Sequence, residues 1–385
     1  MKVLQINSVC GIGSTGKICT DIARTLIDSG HQCKIAYGRG TVPDKYKDIA
    51  VRIGSDFGIK MSAIHTRFTG KHGFSGKSAT SKFVKWAGCY NPDVIHLHNI
   101  HGYYINIQIL FDYLRQAQKP VVWTLHDCWP FTGHCAYFDM CGCSKWVSQC
   151  ENCPQINTYP KSLFDASSKN FELKKHLFAG IKNMTIVTPS NWLANLVKQS
   201  FLGCYDVKVI NNGIDTSVFK PTEGNFRKAY GLQNKKIILG VASTWDKRKG
   251  LDDFIKLASL IDDNYVIVLV GLNAKQVGTL PENILGITRT QSATELAHVY
   301  TTADVFVNPT YEDNYPTVNI EAQCCGTPVI TYNTGGSVES VTDDCIVNRG
   351  DVHQIYEKIK SAPIAVRQDV LLDKKDMANR YLQLY

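Results

Sequence analysis

Glu312 and Asp313 lie in the turn of the run PTYEDNYPTVNIEAQCCGTPVITYNTGG (309–336), and Glu321 follows eight residues after Asp313. Pro316 stands where a helix can start, because its fixed φ suits the first turn and its missing N–H costs nothing there. The run TVNIEAQCC has helical spacing, with Val318, Ile320 and Cys324 on the inward side, Gly326 as C-cap and Pro328 blocking continuation. A short β-branched strand, PVITY, and the loop Thr334-Gly335-Gly336 come next. Free N–H groups at a helix start attract phosphate. Carboxylates beside them accept hydrogen bonds from sugar hydroxyls. The stretch therefore reads as a nucleotide-sugar site. Its plainer reading is a surface helix whose acidic start the helix dipole favours.

Upstream, KIILGVAS reads as a strand, and its loop carries Lys247, Arg248 and Lys249 before Gly250. Cations at a strand–helix junction can clamp a diphosphate; the alternative is a solvated loop. In the N-terminal half, PDVIHLHN reads as a buried strand ending in His96, His98 and Asn99, and KPVVWTLHD places His126 and Asp127 at a strand tip. These loops should line one edge of a parallel sheet, where ligands of open α/β sheets bind. The first loop, Gly11–Lys17, matches G-x-G-x-x-G and nearly a Walker A loop, but Ile18 stands where a Mg²⁺-binding hydroxyl is needed. Arg39 ends the second strand, where a dehydrogenase requires an acid for the ribose. ATPase and dehydrogenase chemistry are both set aside.

The 385 residues suggest two or three domains, and 44% hydrophobic with 20% charged residues is a globular composition. Nothing approaches the roughly 18 consecutive apolar residues of a membrane span. MKVLQINSV is too short and polar for a signal peptide, so a cytoplasmic setting with reduced or metal-bound cysteines is expected. Six of the 14 cysteines fall in 128–153. Cys135, Cys143, Cys150 and Cys153 are the expected ligands of a structural zinc; the competing readings are reduced cysteines packed around Trp129 and Trp146, and a redox role. The formal charge of +8 is uneven: no acid occurs between Phe57 and Pro92, where Lys60, Arg67, Lys71, Lys77, Lys82 and Lys85 interleave with Phe68, Phe74, Phe83 and Trp86. That segment reads either as a solvated face or as a surface for an anionic partner, a phosphorylated acceptor or an anionic bilayer.

Taken together, these residues resemble a retaining glycosyltransferase of family 4, an α/β protein of GT-B architecture with two Rossmann-like domains facing across a cleft. The likeness spans essentially the whole chain. It rests on Gly11–Lys17, His126, NNGID at 211–215, Arg248-Lys249-Gly250, the Asp313/Glu321 pair and CGTPVI at 325–330. VVWTLHDCWPFTGHC with the downstream cysteines resembles a bacterial subgroup associated with capsule and exopolysaccharide assembly. The resemblance implies that Glu321 binds the donor ribose and Asp313 approaches the donor sugar. Most relatives carry Glu at that position, so Glu312 takes part of the role. Thr244 stands where the family has Arg, which shifts the diphosphate clamp to Lys249 and Arg248. His126 corresponds to the histidine near the anomeric centre. Backbone at Thr288 and Arg289 is expected at the base. Asn314, Tyr315 and Thr317 are expected at the donor phosphates or sugar, with Gly13 and Gly16 also on the donor side. His98 and Asn99 are expected at the acceptor.

The expected domains are 1–185 for the acceptor, with the Cys-rich insertion 128–153, and 186–362 for the nucleotide sugar, with a helix in 363–385 crossing back; NNGID lies near their junction. The implied reaction moves a sugar from a UDP- or GDP-linked donor to a glycan or lipid-diphosphate-linked acceptor. It keeps the anomeric configuration, and any zinc is structural since catalysis requires no cofactor. The expected setting is cytoplasmic, peripheral on the inner face of the membrane, with no nucleic acid partner. Rival readings are a nucleotide-sugar epimerase on the same fold and a zinc-knuckle nucleic-acid-binding protein; the latter leaves the phosphate and hydroxyl site of the second half unexplained.

Overall fold

A computed structural model describes residues 1–361 and 366–385. The chain forms two compact units, Met1–Asn211 with Lys375–Tyr385, and Asn212–Lys374.

The first unit is built on seven parallel strands: β1 (Lys2–Asn7), β2 (Gln32–Tyr37), β3 (Ala50–Arg52), β4 (Val94–Leu97), β5 (Val121–Thr124), β6 (Met184–Thr188) and β7 (Asp206–Val209), in spatial order 3-2-1-4-5-6-7. Short apolar runs such as VIHL and VVWT are wholly buried, as strands covered on both faces must be. Helix α1 (Gly13–Asp28) packs Ile18, Ile22, Ala23 and Leu26 inward at helical spacing. It begins at Gly13, so the expected glycine loop is shorter than Gly11–Lys17, and Ser14–Lys17 form its first turn. Two further helices, α2 (Asp56–Thr69) and α3 (Lys77–Tyr90), fill the acid-free stretch. Of its aromatic residues Phe83 is core, Phe74 and Trp86 are half-buried against that core, and Phe57 and Phe68 are exposed.

The second unit has β8 (Lys236–Val241), β9 (Tyr265–Val270), β10 (Ile284–Ile287), β11 (Val305–Asn308), β12 (Val329–Tyr332) and β13 (Ile346–Val347), in order 10-9-8-11-12-13, all parallel. Alternate residues serve opposite faces. Ile237, Leu239, Val266 and Val268 enter one core, and Ile238, Ile267, Leu269 and Val307 the other. Both faces are covered, as in a doubly wound sheet.

The units divide after Asn211, not between 185 and 186. β6 pairs in parallel with β5, and β7 with β6, so both extend the first sheet and the first unit keeps them. The expected boundary at 362/363 lies outside the described residues. After Asn211 the NNGID run belongs to the second unit: Ile214 pairs with Asp373, and Lys374 reaches the Asp215 carboxylate at 2.5 Å. The helix Lys374–Leu382 then belongs almost wholly to the first unit. A buried chain of hydrogen bonds fastens it there. The Tyr385 hydroxyl donates to His96 Nδ1 (2.5 Å), His96 Nε2 donates to Thr124 Oγ1 (2.8 Å), and Thr124 donates to the Tyr381 hydroxyl (3.1 Å). Burial holds His96 well below the usual histidine range, so it serves as a neutral relay.

The Cys-rich insertion folds around aromatic rings: Phe131 and Phe138 lie 5.2 and 5.0 Å from Trp146. Lys174, on the helix Ser167–Phe178, is 1% exposed and anchors the insertion. Its Nζ sits 3.5 Å from the Trp129 ring centroid and donates to the Trp129 and Thr132 carbonyls (2.7 and 2.9 Å). Burial pushes its pKa down to about 7, against the pull of Cys150, Cys135 and Asp127. The unfolded chain holds that proton up to about pH 10.4. Between these values the unfolded state binds more protons, so Lys174 makes stability rise with pH by up to about 1.4 kcal/mol per unit. The melting temperature of the wild type should therefore gain on that of Lys174→Met from pH 7 to 8. Parallel curves for the two proteins would show that the ammonium keeps its proton throughout.

Candidate active site

The strand order of the second sheet reverses between β8 and β11, so the loops that leave them turn to opposite faces and open a crevice at the carboxyl edge. The first loop ends in a short turn of helix, Lys247–Lys249, capped by Asp246, whose carboxylate accepts from the Lys249 N–H (3.0 Å). The second loop carries Glu312 and Asp313. Lys249 Nζ and Asp313 Oδ2 meet at 2.5 Å, with both side chains still partly open to solvent. Arg248 Nη1 donates to the Glu312 carbonyl (2.8 Å), and the Tyr311 N–H donates to the Arg248 carbonyl (2.8 Å). Arg248 thus ties the two loops together. Glu312 is 5% exposed, within the turn.

Close approach fixes the glycines here. A Cβ on Gly250, at φ +75°, would lie 2.3 Å from the Pro309 carbonyl oxygen, and one on Gly335, at φ +52°, would lie 2.1 Å from that of Asp313. The loop after β12 can therefore reach Asp313, and the Gly336 N–H donates to the Asp313 carbonyl (3.2 Å).

The helix Thr317–Cys324 starts directly after Pro316. Ile320 faces the core as expected, but Val318 and Cys324 are half-buried, and the remaining inward positions are Asn319, Ala322 and Gln323. The reason is a polar core. Asn319 Oδ1 accepts from Asn308 Nδ2 (2.8 Å), while its Nδ2 donates to Ser340 Oγ (2.9 Å) and Ser337 Oγ (3.2 Å). This amide joins β11, the helix and the turn after Gly336. Alternation of apolar and polar residues gave no sign of it. Glu321 is half-buried, and its Oε2 accepts from the Tyr300 hydroxyl (3.0 Å), which aims the carboxylate. Asn314 and Tyr315 are buried in the turn, and Thr317 is half-buried at the helix start. Asn212 Nδ2 donates to the Tyr315 carbonyl (3.2 Å). Thr288 and Arg289 are exposed just beyond β10, at the same edge of the sheet.

The first unit has its own strand reversal, between β1 and β4. Gly13 and Gly16 lie at the start of α1, with Gly16 buried against Val9. His126 follows β5 and is half-buried. Its Nε2 meets His98 Nδ1 at 3.1 Å, and His98 Nε2 meets Gln5 Oε1 at 3.0 Å. The Gln5 amide nitrogen donates to the Cys19 carbonyl, so its oxygen must accept from His98. Burial keeps His98 neutral, and it pushes His126 down to about 4 despite the opposing pull of Asp127. One proton per ring then makes His126 Nε2 the donor to His98 and leaves His126 Nδ1 as an acceptor. His98, expected at the acceptor, is 1% exposed with both nitrogens engaged; it orients His126. Asn99 is half-buried, its N–H donating to Asn7 Oδ1 (3.2 Å). A neighbouring pair was missed from sequence: His101 Nε2 to Asp127 Oδ2 at 2.9 Å, with His101 Nδ1 on the Tyr159 hydroxyl at 2.8 Å. Burial alone would raise the Asp127 carboxyl, but His101 and the Trp129 N–H hold it below the usual range.

The four cysteines chosen for zinc do not present a ligand set. Among the described residues no three His, Cys, Asp or Glu side chains gather as metal ligands. Cys135 and Cys153 share a hydrogen bond, which raises the first thiol and lowers the second, and Cys150 accepts from the Gly133 N–H at 3.2 Å.

Two doubly wound parallel sheets, with a lysine–carboxylate pair at the reversal of the second, define a GT-B glycosyltransferase. The chain belongs to glycosyltransferase family 4, which it matches over residues 15–218, and it matches the glycosyl transferases of group 1 over 222–363. It is 24% identical over 369 residues to WcaC of Escherichia coli K12, named for colanic acid biosynthesis, across 88% of this chain and 85% of that one. CapM of Staphylococcus aureus, named for capsular polysaccharide biosynthesis, is 28% identical across 39% of this chain and 43% of its own. The solved sucrose-phosphate synthase of Thermosynechococcus elongatus shares the fold at TM-score 0.71 and 16% identity, covering 100% and 98% of the two chains. Anabaena HepE, solved with UDP, shares it at 0.64 and 15%, covering 99% and 94%.

The polar core beneath the site makes a prediction about stability. Asn319→Leu strands the Asn308 amide in a buried setting, which costs about 1–3 kcal/mol. Thermal unfolding of the variant should begin several degrees lower. An unchanged melting curve would mean that the network does not support the helix.

Proposed function

We propose that this enzyme transfers a sugar, with retention, from a UDP- or GDP-linked donor to a hydroxyl of a glycan or lipid-diphosphate-linked acceptor, in bacterial surface polysaccharide assembly. The observation that carries the reading is the Lys249–Asp313 pair at the β8/β11 reversal. WcaC and CapM are named for polysaccharide assembly, and HepE was solved with UDP and with UDP-glucose, which supports the donor and pathway class.

In this reading Lys249 stands over the leaving diphosphate and neutralises the charge that builds as the glycosidic C–O bond breaks. The bonding pair stays on the diphosphate. A diphosphate oxygen takes the proton of the attacking hydroxyl on the same face, and the new C–O bond forms there. Asp313 holds Lys249 in place and accepts from a sugar hydroxyl. Glu321, held by the Tyr300 hydroxyl, accepts from the ribose hydroxyls. His126 Nδ1 accepts from a substrate hydroxyl. Charge neutralisation by Lys249 and Arg248 takes the part a metal would play, so transfer needs none. Catalysis here is positioning plus preorganised electrostatics. No described helix is long and apolar enough to cross a membrane, and the enzyme is proposed to work on the cytoplasmic side, where nucleotide sugars are made.

Thermal unfolding against a panel of UDP-, GDP-, ADP- and dTDP-sugars tests the donor. At a ligand concentration near 100 Kd the native state gains about 2.7 kcal/mol, so one base should stand out. No shift with any member, in a folded sample, rejects a nucleotide-sugar site. Donor turnover without an acceptor would instead identify an epimerase. Lys249→Ala should lower kcat on the order of a hundredfold, since one preorganised contact contributes about 3 kcal/mol. Near-normal turnover would remove Lys249 from the clamp.

A further inference from the structure

Helix α2 sets Ile59 half-buried against the core but leaves its other large apolar side chains outside. Its buried residues are Ser62 and Thr66, while Phe57, Met61, Ile64 and Phe68 are 73, 47, 49 and 59% exposed. Those four positions recur at i, i+4, i+7 and i+11, which is one face of a helix. A helix that packs on a core normally turns such a face inward. Here the inward face makes polar contacts: Thr66 donates to the Ser62 carbonyl (2.9 Å), and Ser162 Oγ lies 3.4 Å from the Thr66 carbonyl oxygen. The loop that carries Ser162 extends the patch. The Leu163 N–H donates to the Arg67 carbonyl (2.8 Å), and Leu163 and Phe164 are 56 and 60% exposed. Among the described residues, six of the eleven exposed large apolar side chains belong to this one surface.

Its surroundings are basic. Lys60, Arg67 and Lys71 lie on or just after α2, and Lys77, Lys82 and Lys85 on α3; all are exposed, and none forms an ion pair among the described residues. Asp56, at the start of α2, is paired with Arg52. Beside the stripe, α2 and α3 border an apolar groove of about 1020 Å³, lined by Phe74, Phe83, Trp86 and Tyr104 with Lys77 and Lys82. A second copy of this chain brought face to face would set these cations against their own kind, which disfavours a symmetric dimer through the patch. Aromatic and aliphatic side chains on one helical face, flanked by unpaired lysines, suit the boundary between headgroups and acyl chains.

We propose that α2 and the loop 162–164 form a docking face for an anionic bilayer, with Phe57, Ile64, Phe68, Leu163 and Phe164 in the interfacial zone and the α2 and α3 cations over the headgroups. This goes beyond the transfer reaction and does not depend on the identity of the donor.

The test is co-sedimentation of the full chain with vesicles of phosphatidylglycerol and phosphatidylcholine, against vesicles of phosphatidylcholine alone. The wild type should bind the anionic vesicles and release at high salt. The triple variant Phe57→Ser, Ile64→Ser, Phe68→Ser should bind at least about tenfold more weakly, with an unlowered melting temperature because the replaced side chains are exposed. Its thermal response to the donor should be unchanged, which separates this proposal from the donor site. Failure of the wild type to bind, or equal binding by the variant, overturns the proposal. So does a wild-type dimer in solution that the variant converts to monomer, which would assign the stripe to a second copy.

Discussion

The pairing of β11 with β8 governs the second unit. Val305 aligns with Ile238 and Phe306 with Leu239, side by side and parallel, although more than sixty residues separate them in the chain. Parallel neighbours need crossovers, and crossovers that leave in opposite directions leave a gap at the carboxyl ends of the strands. Lys249 and Asp313 each follow one of these two strands. Their meeting is therefore a consequence of sheet topology. A one-residue slip in register would flip β11 face for face and carry the 309–316 turn away from the 247–250 loop.

A buried polar framework makes that gap rigid, and burying polar groups is costly unless every one has a partner. Asn319, Asn308, Ser337, Ser340 and Thr331 satisfy one another across four elements: β11, β12, the helix Thr317–Cys324 and the turn after Gly336. The first unit solves the same problem with histidines. His96 and His98 sit in the strand VIHL and just beyond it, their rings 3.9 Å apart, and both stay neutral. One relays hydrogen bonds to the C-terminal tyrosines; the other orients His126. Such networks confer direction more than stability, since low dielectric makes each satisfied bond strong and each missing one expensive.

Much of this was legible in the sequence. Continuous apolar runs gave the parallel strands, and Gly, Pro and acid placement gave the turn and helix of 309–336. The resemblance to family 4 glycosyltransferases pointed to Lys249, Asp313, Glu321 and His126, and the fold sets the first two against each other. The domain boundary was misplaced because β6 and β7 look like strands of either half; only the pairing of β6 with β5, and of β7 with β6, assigns them. The role of Asn319 was hidden because an amide inside an apolar helix face has no periodic signature.

The histidines and the basic segment show where sequence stops. Types and spacing placed His98 and His126 at strand ends, which parallel pairing then brings to one edge. Which nitrogen donates, and that His98 is a support, depends on Gln5, a residue far away in the chain. Likewise the charge of residues 57–92 was plain, and aromatic residues were visible among the lysines. Burial sorted those aromatics, drawing Phe83 into the core and leaving Phe68 outside beside Phe57, Met61 and Ile64. Local pattern determines which elements form, because backbone geometry and side-chain period are local. Which face of an element turns outward was decided by tertiary packing, because that choice belongs to the neighbours against which it is buried.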